Sequence, residues 1–172
     1  MESALIEVVE VIRENLDKRS HVMLMLLDLS AVLDMLSHSI LLDRMSRLGV
    51  CGQALAWFKS FLTDRSQAVY IPPFTSESKP LECGVPQGSA MSPTLFNIYM
   101  EPLAKVVESF GVSVVSHADD TQLLLSFQDK DLATLAALKP CLCTLVEWMN
   151  ALCLKLNLDK TRFYFFGPSP TP

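Results

Sequence analysis

Two apolar runs that each deliver an aspartate constrain this chain most. Residues 22–27 read VMLMLL and lead straight into Asp28, while residues 112–127 read VSVVSHADDTQLLLSF, with Asp119 and Asp120 adjacent between β-prone stretches. An uninterrupted apolar hexad predicts a strand buried on both faces. The second stretch predicts a hairpin with the Asp pair at its tip. Side-by-side carboxylates repel each other and lose solvation when buried without partners. A divalent cation offsets both costs, because hard oxygen ligands suit Mg²⁺. A solvated turn also favours Asp, and Asp28 could instead cap a following helix. Taken together, acids at the ends of two buried strands are what a two-metal phosphoryl-transfer site needs.

The remaining pattern is mixed. Leu5, Val9, Ile12 and Leu16 predict one face of an amphipathic helix over residues 3–18. Leu41, Met45 and Leu48 predict a second helix stopped by Gly49, and Leu55, Phe58 and Phe61 or Leu62 a third. Residues 67–71 read as a short strand ended by Pro72 and Pro73. Residues 72–94 are rich in Pro, Gly and Ser and read as loop. Ser92 and Pro93 predict an N-cap and first helical residue. The helix they open places Leu95, Phe96, Tyr99, Leu103, Val106 and Phe110 inward, with a kink at Pro102 and an end at Gly111. Leu135, Leu138, Leu142, Leu145, Met149 and Leu152 follow helical spacing, with Pro140 expected to interrupt the middle of that helix, and residues 162–166, RFYFF, predict a last strand. Irregular alternation with hairpins predicts an α+β fold. One domain over residues 1–167 and a disordered Pro-rich tail over 168–172 are expected.

Composition removes several function classes. Half of the 172 residues are apolar, and the mean hydropathy is +0.31. That is high for a lone domain and suggests surfaces that expect a neighbour. No run reaches the roughly 18–20 apolar residues of a membrane span, so no membrane partner is expected. The N-terminus lacks a basic region followed by an apolar one, so no signal peptide is expected and the location is intracellular, nucleus or cytoplasm. Cys51, Cys83, Cys141, Cys143 and Cys153 lack metal spacing and read as reduced, buried thiols. His21, His38 and His117 do not cluster with them, so no zinc site is expected. A net charge of −5 argues against tight autonomous binding to nucleic acid, though not against carboxylate chemistry.

Four blocks occur in order: LLDLSAVLD (26–34), CGVPQGSAMSPTLFNIY (83–99), HADD (117–120) and LKLNLDKT (154–161). Together they resemble the palm motifs of reverse transcriptases, above all the non-LTR (LINE-type) retrotransposon enzymes. The stretch HSILLDRMSRLGV…WFKSFLTDR (38–65) is similar to the segment those enzymes carry between their first two motifs. The resemblance runs over residues 1–167. It implies an antiparallel palm sheet packed with helices, with fingers and thumb truncated. It also implies RNA-directed DNA polymerase activity by two-metal nucleotidyl transfer, using Mg²⁺ with Mn²⁺ as the alternative. RNA template, DNA primer and deoxynucleoside triphosphates are the implied partners.

Residue by residue, the resemblance makes Asp28 and Asp119 metal ligands, with Asp120 the adjacent acid of the metal site. Lys160 matches the family lysine near the triphosphate, where a cation could offset charge or protonate pyrophosphate. Its plainer role is a solvated lysine at a strand edge. Pro86, Gln87 and Gly88 belong to a loop expected against the template base and incoming nucleotide, with Gln87 a polar contact. Glycines there allow positive φ and close approach of a ligand, although an ordinary Pro-Gly turn would read the same way. Leu29, Leu33 and His117 complete the expected nucleotide and template contacts. Asp34 matches a family acid and reads as a cap or surface group.

The chain departs from the family at two of these positions. His117 stands where the family usually has Tyr. Leu33 stands where an aromatic ring screens out the ribose 2′-hydroxyl. Two other functions compete with polymerisation. One is a catalytically inactive retroelement remnant acting at most as a nucleic-acid or protein binding module. The other is an unrelated Mg²⁺ phosphohydrolase, which needs the carboxylates but neither GVPQGS nor NLDKT.

Overall fold

The computed structural model describes residues 2–30, 32–117, 120–128, 131–157 and 159–168. The chain divides into two compact units, one of Met1–Ser30 with Met100–Pro172 and one of Ala31–Tyr99.

The first unit opens with α1 (Glu2–Asp17) and the seven-residue β1 (His21–Leu27), followed by the short β2 (Leu29–Ser30). The second unit runs through α2 (Val32–Met35), α3 (His38–Arg47), α4 (Gly52–Leu62), β3 (Ser66–Gln67), β4 (Tyr70–Ile71), β5 (Phe74–Thr75) and β6 (Lys79–Pro80) into α5 (Ser92–Met100). The chain then returns to the first unit with α6 (Leu103–Glu108), β7 (Val112–His117), β8 (Asp120–Phe127), α7 (Leu132–Ala151), β9 (Lys155–Leu156) and β10 (Arg162–Phe166).

The first unit is built on a four-stranded antiparallel sheet in the order β10-β1-β8-β7. The apolar hexad is central, as two-faced burial requires. Val22 and Leu24 face α1 and pack with Val8, Ile12, Val115 and Leu124. Met23 and Met25 point to the other side of the pleat and are fully buried there. The buried stripe of α1 differs from the expected one. Val8 and Ile12 carry it, whereas Leu5 and Val9 are 62% and 43% exposed. Ile12 and Leu16 hold their expected inward place, while at the N-terminal half Val8 takes the core position expected of Val9, a choice the helical period leaves to the partner sheet. A two-stranded β2–β9 ladder pairs Leu29 with Leu156. β10 forms an edge with Phe163, Tyr164 and Phe165 exposed, so part of the high hydropathy lies at the surface.

Helix α7 runs through Pro140 without a break. Asp131 caps its start and accepts from the Thr134 backbone N–H at 3.0 Å and the Thr134 hydroxyl at 2.5 Å. These donors, the hydroxyl first, hold the Asp131 carboxyl below the usual carboxylate range. The expected long helix after Ser92 is two helices, with α5 ending at Met100 and α6 starting at Leu103. Pro102 lacks the N–H that continuation needs, so it breaks the helix instead of kinking it. Ser92 also departs from its expected capping role, because its hydroxyl donates to the Pro86 carbonyl at 2.6 Å. The expected strand over 67–71 is split into β3 and β4, and β4 turns back through Pro72 and Pro73 to pair with β5. The cysteines are not all buried: Cys141 is, with its thiol pKa pushed up by burial, while Cys51, Cys143 and Cys153 are exposed. No helix among the described residues is long and apolar enough to cross a membrane.

Candidate active site

In the first unit, β1 and β8 bring two of the three acids to one end of the sheet. Their ladder closes on the pair Leu27 and Thr121. Asp28 follows Leu27 and Asp120 precedes Thr121, so both lie just beyond the same last rung on neighbouring strands. Such strands run roughly 4.8 Å apart. On its other side Asp120 pairs with His117 of β7. Asp119, expected as the second metal ligand, lies outside the described residues, as do the side chains of Asp120 and His117. Among the described residues no three His, Cys, Asp or Glu side chains gather as a metal cage.

The Lys160 turn is tied to the same end. The Asn157 backbone N–H donates to the Asp28 carbonyl at 2.8 Å. Asn157 in turn accepts, through its own carbonyl, from the Thr161 N–H at 2.9 Å and the Thr161 hydroxyl at 2.8 Å. The Lys160 N–H reaches that carbonyl at 3.3 Å, and β10 resumes pairing at Arg162 opposite Leu26. The Lys160 side chain is solvent-exposed. Sequence reasoning passed over Asn157 as the knot of this turn, although an Asn before an Asp-Lys-Thr run is a local turn signal. It also missed Thr121. Its hydroxyl is buried beside Asp120 and has no hydrogen-bond partner among the described residues.

The second unit holds the other expected contacts. The strand-like segment 83–85 runs back along residues 33–37 through a Ser37–Cys83 bridge. The Gly84 N–H donates to Leu36 and the Val85 N–H to the carbonyl of Leu33, each at 2.8 Å. Two cationic or ring N–H groups converge on the Gly84 carbonyl, His38 Nε2 at 2.8 Å and Arg65 at 3.3 Å. A carbonyl only accepts, so His38 carries a proton on Nε2. Gly84 has φ +87°, and a Cβ there would lie 2.9 Å from the Asp34 carbonyl oxygen. The close approach expected for the ligand is therefore made at Gly84 by the chain itself. Gly88, at φ +75°, has open space around it. Gln87 is exposed, and its amide nitrogen donates to both Asp34 carboxylate oxygens, at 2.9 and 3.0 Å. Leu33 is half-buried and Pro86 likewise.

The first unit is thus a palm-like antiparallel sheet packed with helices, with Asp28 and Asp120 at adjacent strand ends. Residues 3–170 match the family model for reverse transcriptase (RNA-dependent DNA polymerase). The chain belongs to that family. It is 29% identical over 153 residues to the RNA-directed DNA polymerase from mobile element jockey of Drosophila melanogaster, covering 86% of this chain and 16% of that protein. A probable RNA-directed DNA polymerase from transposon BS of the same organism is 26% identical over 150 residues, covering 84% and 16%. The chain therefore spans about a sixth of these relatives' length. Among solved structures, apo telomerase from Candida tropicalis truncated from its C-terminal domain superposes with a TM-score of 0.69 at 16% identity, covering 99% of this chain and 36% of that one. Telomerase from Candida albicans in complex with a TWJ fragment of telomeric RNA gives 0.68 at 15% identity, covering 92% and 31%. At these identities the likeness is one of fold, and it bears out the α+β palm.

Proposed function

We propose that this chain is the palm of an RNA-directed DNA polymerase, with Asp28, Asp119 and Asp120 as the carboxylates of its metal site. The observation that carries this reading is the position of Asp28 and Asp120 just beyond the last rung of the β1–β8 ladder, on neighbouring strands. Carboxylate oxygens are the donor type that Mg²⁺ or Mn²⁺ takes, so the residue types fit the ions. The ions would supply activation of the primer hydroxyl and charge stabilisation at the leaving pyrophosphate. The residues' own work is positioning. Lys160, on a turn bonded to the Asp28 backbone, offers a cation to the triphosphate. Leu29, Leu33, Pro86, Gln87, Gly88 and His117 contact nucleotide and template, and RNA template, DNA primer and deoxynucleoside triphosphate are the partners.

Net charge favours a second reading, a remnant that binds without polymerising. At −5 the chain has few cations to spend on phosphates, and each missing contact weakens the salt-dependent part of binding. Primer extension by the 172-residue chain on an RNA template separates the two. Weak extension at low salt with Mg²⁺ or Mn²⁺, abolished by Asp28→Ala, is the expected result. No extension at any salt, with the fold intact by circular dichroism, would establish the remnant. Processive synthesis at physiological salt would show that the charge argument is wrong.

A further inference from the structure

We infer that Asp34 is a positioning residue that fixes which end of the Gln87 amide faces a bound nucleotide. The inference rests on the polymerase reading and deepens it. A carboxylate has no proton to give, so the group that Gln87 turns toward Asp34 must be its NH₂. The two short bonds at 2.9 and 3.0 Å engage that nitrogen against both carboxylate oxygens. The Gln87 carbonyl Oε1, a pure hydrogen-bond acceptor, is then the end of the amide turned away from Asp34. Phosphate oxygens are acceptors too and find nothing there. A sugar hydroxyl or a base N–H does. The loop is thereby set to read the nucleoside part of a nucleotide and to leave the triphosphate to cations.

The backbone beneath this pair is fixed independently of it. Gly84 is held by Leu36, His38 and Arg65, and Ser92 holds the Pro86 carbonyl. A Cβ on Gly84 would lie 2.9 Å from the Asp34 carbonyl oxygen, so the loop root runs close beside the Asp34 backbone. Removing the Asp34 carboxylate should therefore free the Gln87 amide to rotate while leaving the loop in place. An unanchored amide offers NH₂ or oxygen with equal ease, and the preference for a donor ligand is lost.

The test measures binding of dATP and of inorganic tripolyphosphate, each with Mg²⁺, to the full chain by ¹⁵N NMR titration, together with the Gln87 side-chain amide signals. Asp34→Ala should weaken dATP about tenfold, the worth of one charge-assisted orienting contact, and leave tripolyphosphate within about twofold. Asp34→Asn, which keeps the shape and one acceptor, should fall between and guards against a folding failure of the alanine variant. Gln87→Ala should lose dATP as Asp34→Ala does, with no further loss in the double variant. Equal weakening of both ligands would overturn the inference, because it would make Asp34 a support for the whole loop. Unchanged dATP binding in Asp34→Ala would also overturn it while leaving the polymerase reading intact. A wild-type chain that binds neither ligand would sink the polymerase reading and this inference with it.

Discussion

In the unit of Met1–Ser30 and Met100–Pro172, strands of five to eight residues share continuous ladders and bury apolar side chains on both faces of β1. Among the described residues of the unit of Ala31–Tyr99 every strand is two residues long, like β2 and β9 beside the main sheet of the first unit. That unit has buried residues of its own, among them Leu36, Leu41, Leu62, Phe96 and Tyr99. Its motif loop, however, is shaped by single hydrogen bonds that converge on Gly84 and Gln87. Burial is non-directional and tolerates small shifts of register or rotamer. A loop shaped by a few directional bonds and one positive φ tolerates almost none. The difference matches the proposed division of labour. Acids at sheet ends need a stiff platform, whereas a loop that meets a nucleotide needs defined donors and acceptors.

The largest expected effect tests the platform. Leu123 is fully buried between Met25 and Val114 in the sheet, and Leu123→Ala should cost about 3 kcal/mol through lost burial and a residual cavity. Urea denaturation followed by circular dichroism measures it. A cost under about 1 kcal/mol would mean that the sheet is not held chiefly by burial.

Gly84→Ala is next. It forces a Cβ into the left-handed region and against the Asp34 backbone, and should cost about 2 kcal/mol. Hydrogen exchange should show the loss in residues 32–99 and spare the amides of β1 and β8. Equal loss of protection in both places would erase the distinction, because the two regions would then open as one cooperative unit.

A smaller effect sharpens the loop's role. Leu33 is half-buried, and its carbonyl accepts from Val85 at the root of the motif loop. An apolar pocket rejects an added hydroxyl poorly unless something fills the space. In the extension assay Leu33→Phe should lower ribonucleotide relative to deoxynucleotide incorporation by about tenfold. An unchanged ratio would show that Leu33 does not screen the sugar.

The smallest effect returns to the first unit, at the exposed start of α7. Thr134 holds the Asp131 carboxyl below its ordinary range, so the folded pKa is lower than the unfolded one. The sign follows: the cap's stabilisation is complete above the unfolded pKa and is lost as pH falls through the folded value. Asp131→Ala should therefore be less stable than wild type at neutral pH, and the gap should close at the acid end of a pH series of thermal melts. A gap that persists to the lowest pH would assign the effect to helix propensity instead of the charged cap.

Legibility in the sequence follows the range of the interactions. The elements α3, α4, β1, β7, β8 and β10 are readable because period and breakers are local properties, whereas in α7 the period is readable but the expected interruption at Pro140 does not occur. In α1 the expected Ile12 and Leu16 face the core, but Leu5 and Val9 fit the helical period as well as Val8 does and are exposed. Ser92 looked like a cap, yet its hydroxyl serves Pro86, six residues back. Asp34 is the exposed surface group its sequence context suggests, but its partner Gln87 lies 53 residues away. No local pattern announces such a pairing.

By itself, then, the sequence determined the family, the α+β class and the identity of the candidate acids. These follow from residue type, order and short-range period, which the chain carries in any conformation. The tertiary structure alone decided that Asp28 and Asp120 lie just beyond one rung on neighbouring strands and that the Asn157 turn is bonded to Asp28. It alone decided that the glycine of the motif loop is required by the chain's own Asp34 backbone and that Gln87 presents a fixed end of its amide. Register, close backbone approach and hydrogen-bond direction depend on groups far apart in sequence, and only the folded chain brings those groups within bonding distance.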